Sequence, residues 1–160
     1  MKEFHSLNEL EKFLKKNIRL ALLKDPPTAV KNLMRKHILK DVYFRYRPKE
    51  YKRRGINEGL YDKDKIIFKS KKDNTVEIYN IAKRNIRYTN QYLAPVIEFG
   101  HEGAESKGYR GYSFPYPQYA YYYPRPFIKN TREDLRKNKQ HIKAFIQSLK
   151  SYGINSVHGG

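Results

Sequence analysis

The residues of this 160-residue chain best suited by type to phosphodiester chemistry are Asp62, Asp64, Glu77, Glu98 and His101. Carboxylates gathered around a histidine can hold a divalent cation and activate a water for attack on phosphorus. Their setting argues against that use. Asp62 and Asp64 follow the glycine-bearing segment Gly55–Gly59, where acidic side chains turn and cap the backbone. The five histidines (His5, His37, His101, His141 and His158) show no ligand-like spacing. His37 falls beside an apolar helical face, where a partly buried, hydrogen-bonded histidine is expected. No Gly-rich phosphate loop, HExxH or zinc pattern occurs. Cysteine is absent, which excludes disulfides and thiolate catalysis. The chain reads as a non-enzyme with no catalytic residue, no metal and no cofactor. The rival nuclease reading needs Asp62 or Asp64 to approach Glu77 or Glu98.

A second set of residues suits binding. Lysine and arginine number 34 against 16 aspartates and glutamates, a formal net charge of +18. Such a field favours phosphate polymers or acidic proteins. The charge is dense at Tyr46, Lys49, Tyr51, Lys52, Arg53 and Arg54, where guanidinium groups could grip carboxylates bidentately or track phosphates. Farther on come Tyr109, Tyr112, Tyr116, Tyr119, Tyr121, Tyr122 and Tyr123, seven of the chain's 15 tyrosines, interspersed with glycine and proline and followed by Arg125. Tyrosine supplies contact area with a polar tip, so this composition suits an extended arm ordered against a neighbour. It could also stack bases. No helix-turn-helix, zinc finger or single-strand-binding signature accompanies it, which argues against sequence-specific reading.

The elements that must position these residues follow from periodicity. Ser6 and Glu9 form a capping box, and Leu7, Leu10, Phe13, Leu14, Ile18, Ala21 and Leu22 keep helical spacing, predicting a helix over 7–24. Asp25-Pro26-Pro27 is expected to break it and to start a second helix, with Asp25 as N-cap and Val30, Leu33, Met34 and Ile38 on its apolar face. Val42, Phe44 and Tyr46 alternate like a strand that Pro48 ends. Lys65–Lys71 and Thr75–Ala82 predict a hairpin about Lys72-Asp73-Asn74. Tyr88–Gly100 could be helix or strand. Arg125–Ile128 predicts an edge strand because of Pro126. Thr131 then caps a last helix, with Asp134 in the capping-box position, Leu135, Ile142, Phe145, Ile146 and Leu149 inward, and Gly153 as its left-handed stop.

The expected fold class is therefore α+β: two N-terminal helices, a small antiparallel sheet with a long Tyr/Pro/Gly-rich loop, and a C-terminal helix. One domain is expected over 1–160, helical over 6–40 and mainly strands over 41–100. The arm spans 101–124, a strand and closing helix 125–153, and a loose tail 154–160. The opening residues are not expected to act as a secretory leader, since acidic residues interrupt them, and no apolar run reaches the ~20 residues that span a bilayer.

VYFRYRPKEYKRR (42–54), followed by Gly59-Leu60 and a strand, resembles the Y-x-P-x-x-Y-x-R-R … G-L-x-D block of tailed-phage neck proteins, the head–tail joining or tail-completion proteins of long-tailed phages. Glu98-Phe99-Gly100-His101 is similar to that family's E-x-G followed by Thr or His, and Arg125-Pro126-Phe127 to the R-P-F before its closing helix. The three patches occur in the family's order. The long Tyr-rich stretch and the split N-terminal helix depart from its pattern. The resemblance implies a homo-hexameric or dodecameric ring in the virion neck, without catalysis, assembled in the bacterial host cytoplasm. Its implied partners are portal or adaptor proteins, tail terminator or tail tube proteins, and genomic double-stranded DNA passing non-specifically; no membrane is implied. A ring roughly 40 Å tall surrounds only about 24 phosphates of duplex. Six chains at +18 each exceed that several-fold, so most of the charge must face protein partners or the outside. The alternative reading is a non-specific basic nucleic-acid-binding module.

Overall fold

This computed structural model describes residues 4–45, 58–72, 74–83, 92–106 and 123–155, with backbone alone over 101–106. The long helix α1 (Leu7–His37) opens the fold. Ser6 caps it, its Oγ accepting the Glu9 N–H at 3.2 Å, while the Glu9 carboxylate accepts the N–H of His5, one residue earlier than in a strict capping box.

The expected break at Pro26-Pro27 does not occur, and Asp25 is an interior residue of α1, not an N-cap. Two interior prolines remove the donors that would reach the Leu22 and Leu23 carbonyls, a penalty of about 3 kcal/mol or more for each. Tertiary packing offsets it. Both rings are buried. The C-terminal helix α4 (Gln140–Ser151) lies along α1. There the Ser148 hydroxyl donates to Asp25 Oδ2 at 2.7 Å and Lys24 Nζ donates to Ser151 Oγ at 2.9 Å. Contacts more than 120 residues away in sequence thus keep the prolines helical.

Residues Ile38–Tyr43 form a π-helical turn, closed by the Phe44 N–H on the Leu39 carbonyl at 2.8 Å. The expected strand from Val42 is therefore wrong. The alternation fails as well: Val42 is buried and Phe44 is 78% exposed, so the two do not share a face as a strand would require. Beyond residue 58, Asp62 caps a 3-10 turn (Lys63–Lys65). Strands β1 (Ile66–Ser70) and β2 (Val76–Asn80) then pair antiparallel, Ile66 opposite Asn80 and Ser70 opposite Val76, in the predicted hairpin. Asn74 takes the left-handed conformation at φ 53° that the turn demands. Asn80 turns inward and is satisfied twice, donating to Leu60 O at 2.6 Å and accepting from Ala82 N at 2.9 Å.

The ambiguous run to Gly100 is helical from Leu93. Helix α2 (Leu93–Ser106) kinks at Gly100, whose φ 72° and ψ 176° lie in a region essentially closed to side-chain-bearing residues. The expected edge strand at 125–128 is instead the entry to α3 (Phe127–Asn138), since Pro126 fits just before a first helical turn. Thr131 is not a cap but a buried residue whose hydroxyl donates back to Phe127 O at 2.7 Å. The expected single closing helix is two: Lys139, left-handed at φ 51°, separates α3 from α4. The predicted stop at Gly153 is present at φ 77°, with the Ile154 N–H reaching the Leu149 carbonyl. The result is α+β: among the described residues, four α-helices and one two-stranded sheet.

The core lies where α1, the π turn, β1, α2 and α3 converge, on Met34, Ile38, Val42, Ile66, Ile97 and Phe127. Phe127 is wholly buried. Phe127→Ala should lower unfolding free energy by about 3–5 kcal/mol, read by urea denaturation. Phe44→Ala should change it by no more than about 0.5 kcal/mol.

Candidate functional site

The densest polar chemistry sits where α1 runs into the π turn. His37 and Asp41 are four residues apart, which places both on one face, and His37 Nδ1 lies 2.8 Å from Asp41 Oδ2. Its other nitrogen, Nε2, lies 3.1 Å from Oδ2 of Asp134 on α3. Asn130, one turn before Asp134, donates its Nδ2–H to Asp41 Oδ2 at 2.8 Å. His37 and Asp41 are buried, Asp41 to 2% exposure. Burial pushes the Asp41 carboxyl upward. Hydrogen bonds from Asn130 and His37, with the charges of His37 and Arg45, outweigh that and hold it below the ordinary aspartate value. A histidine–aspartate pair could act as a general base, but here both ring nitrogens are engaged by carboxylates. The arrangement is a clasp between helices.

A second buried carboxylate completes the joint. Glu98 on α2 is 5% exposed, and its two oxygens accept the Ile128 and Lys129 N–H groups at 2.7 and 2.8 Å. These are orphan donors of the first turn of α3, so Glu98 caps that helix from another element. Burial pushes its pKa up and is the larger effect; the two N–H groups and the Arg132 charge pull down against it, while Asp41 adds to the rise. In chain terms, Glu98 links two of the patches singled out in the sequence. The Arg125 N–H donates to the Ile97 carbonyl at 2.7 Å, so Glu98–His101 and Arg125–Phe127 meet as one joint, with Gly100 supplying the sharp turn.

Above this joint opens a cleft of about 1030 Å³, walled by the hairpin, α2 and α3. Its floor is apolar, with Met34, Ile67, Ile78, Ala94 and Ile128. Its margin is basic: Lys69 and Lys83 from the hairpin side, and Lys129, Arg132 and Arg136 along α3. Lys129, Arg132 and Arg136 are spaced i, i+3 and i+7, which puts them on one stripe of the helix.

The residues whose types suit phosphodiester chemistry take on structural tasks where they are described. Asp62 accepts N–H groups from Asp64 and Glu58, both at 2.9 Å, as a turn former does. Glu77 pairs with Lys71 at 2.6 Å across the hairpin, and Glu98 caps α3. The His101 side chain lies outside the described residues. Among the described residues no group of three or more His, Asp or Glu side chains could hold a metal, and no helix is long and apolar enough to cross a membrane. Of the expected contact residues, Tyr46, Lys49, Tyr51, Lys52, Arg53, Arg54, Tyr109, Tyr112, Tyr116, Tyr119, Tyr121 and Tyr122 lie outside the described residues. Tyr123 is 75% exposed just before α3, and Arg125 is held by its backbone at the joint. The sequence reading missed the cleft. The i, i+3, i+7 cations of α3 were visible, but an exposed basic stripe on a helix has no sequence mark that separates a binding wall from ordinary solvation. Asp134 was assigned to a cap; the His37–Asp41 spacing was the available hint of the clasp.

Fold and site together define a small α+β protein whose buried ionisable groups lock helices. The profile of the YomN family matches residues 6–151. A curated relative, the SPbeta prophage-derived uncharacterized protein YomN of Bacillus subtilis (strain 168), is 35% identical over 122 residues, covering 75% of this chain and 73% of its own length. The chain belongs to the YomN family, and that kinship indicates a phage-derived protein. No solved structure matches it.

The two buried carboxylates give opposite pH dependences. Asp41, depressed, contributes stability that is present above the ordinary aspartate value of 3.8 and is lost as pH falls through its lower folded value. Glu98, raised, contributes stability that is full below the ordinary glutamate value of 4.5 and is lost as pH rises through its higher folded value. In urea melts the wild type should gain stability from neutral pH down towards 4.5, and Glu98→Gln should lack that gain. Asp41→Asn should be about 1–3 kcal/mol less stable than wild type at neutral pH. That gap should narrow below 3.8.

Proposed function

We propose that this chain is a structural virion protein, a ring component of the phage neck that joins portal or adaptor proteins to the tail and lets genomic DNA pass. The observation that carries this reading is the joint itself: Glu98–His101 and Arg125–Phe127, two of the patches that resemble neck proteins, lie against each other through Glu98, Ile97 and the start of α3. Patches that build one joint have a physical reason to occur together, and a prophage-derived relative agrees with a phage protein. On this reading the protein is not an enzyme and uses no cofactor. It forms a homo-hexamer or dodecamer in the neck, assembled in the host cytoplasm. Tyr46 and Lys49–Arg54 serve subunit or partner contacts, and Tyr109–Tyr123 with Arg125 lies on an adjacent subunit. The portal side and the tail terminator or tube are its protein partners. Duplex passes through without being read.

A second reading, a non-specific nucleic-acid module, is favoured by the net charge of +18. The two separate by the mass of the purified protein in solution, with and without a short duplex, at two salt concentrations. The neck reading expects a discrete ring, or a monomer indifferent to duplex at physiological salt. A monomer that binds duplex tightly, with affinity falling steeply as salt rises, supports the module instead. In a phage lacking the gene, the neck reading also expects filled heads and free tails that fail to join, seen by electron microscopy.

A further inference from the structure

We infer that the cleft between the hairpin, α2 and α3 is a docking groove for an acidic, aliphatic-bearing protein segment. Its two surfaces ask for two chemistries at once. The floor is apolar: Met34 and Ala94 are buried in it, and Ile67 and Ile78 are only half-buried, so an occupant gains by bringing aliphatic side chains to these two. The margin carries Lys69, Lys129, Arg132 and Arg136, all exposed, and among the described residues none of these four is in an ion pair. Two acidic residues border the cleft, Glu98 and Glu133. Glu98 is buried against the Ile128 and Lys129 N–H groups and interacts with Arg132, and four cations against two acids still leave the rim net basic. Cations gathered on a helix stripe and a facing strand repel one another, and carboxylates arriving from a partner relieve that.

Charge complementarity therefore names an anion, and the floor decides which kind. Phosphates of a nucleic acid would meet the rim but leave the aliphatic floor wet, whereas a peptide alternating acidic and aliphatic residues satisfies both. An extended segment presents such residues to opposite sides at a period of two, matching a rim above a floor. This inference holds whether or not the chain belongs to a phage neck, because it rests on the cleft alone.

The test uses the full-length protein and a short fluorescent peptide of alternating glutamate and leucine, with binding read by anisotropy at physiological salt. Comparators are a glutamine–leucine peptide of the same length and a single-stranded oligothymidine. Arg132→Glu with Arg136→Glu should weaken binding about fivefold or more, and so should Lys69→Glu, which lies on the opposite wall away from Glu98. Lys12→Glu, an exposed charge reversal on α1 that does not border the cleft, should change it by less than about twofold. The glutamine–leucine peptide and the oligothymidine should bind weakly and fail to displace the probe. No binding of the glutamate–leucine peptide overturns the inference. So does a loss in Lys12→Glu equal to that in the cleft variants. Displacement by oligothymidine would reassign the groove to nucleic acid. Thermal melts of each variant confirm that a loss of binding is not a loss of fold.

Discussion

Asp41 is the constraint on which the rest of the fold depends. A carboxylate at 2% exposure has lost its water, and without hydrogen-bonding partners it would be among the most unfavourable groups in the molecule. Its partners come from two elements: His37 at the end of α1 and Asn130 on α3. His37 in turn must satisfy a second nitrogen and does so on Asp134, one helical turn beyond Asn130. Satisfying one buried charge thus fixes the register of α3 against α1. The π-helical turn belongs to the same solution, since it carries Asp41 and buries Ile38 and Val42 beside it.

Glu98 extends the joint to α2 by a related device with the opposite electrostatic balance. It also takes up orphan donors, the first-turn N–H groups of α3, yet burial outweighs them and its proton is held more tightly than usual. One carboxylate is thereby stabilised as an anion and the other is pushed towards its neutral form, a few residues of structure apart. Such a pair in an open cavity would invite an acid–base reading. Here Asp41 is sealed by His37 and Asn130, and Glu98 is bonded to backbone, so the perturbed values follow from structural anchoring. The cleft above uses the result: with its buried acid committed, the rim around it is left net basic.

The same logic bears on a phage-derived scaffold. Kinship with the YomN family carries no chemistry by itself, and the matched region, 6–151, takes in α1 through α4. What the geometry adds is that patches distant in sequence, Glu98–His101 and Arg125–Phe127, are welded at the head of α3.

By itself the sequence determined the local features whose physics is complete within a few residues. The Ser6 cap, the hairpin from Ile66 to Asn80 with its left-handed turn, the Gly153 stop and the α+β class are of this kind, because capping, period-two alternation and positive-φ preference act over neighbouring residues. The buried, hydrogen-bonded state of His37 was also legible from its position beside an apolar face. Tertiary structure decided the remainder. Pro26 and Pro27 read as a break, and only α4, packed alongside with Ser148 on Asp25, keeps α1 whole. Phe127 read as a strand because Pro126 precedes it, and only Glu98, waiting at the first-turn N–H groups, makes that point a helix start. Thr131 and Asp134 read as a cap, and only the approach of His37 draws Asp134 into a clasp. In each case the deciding partner lies tens of residues or more away, and a desolvated donor or acceptor must find that partner whatever local propensity prefers.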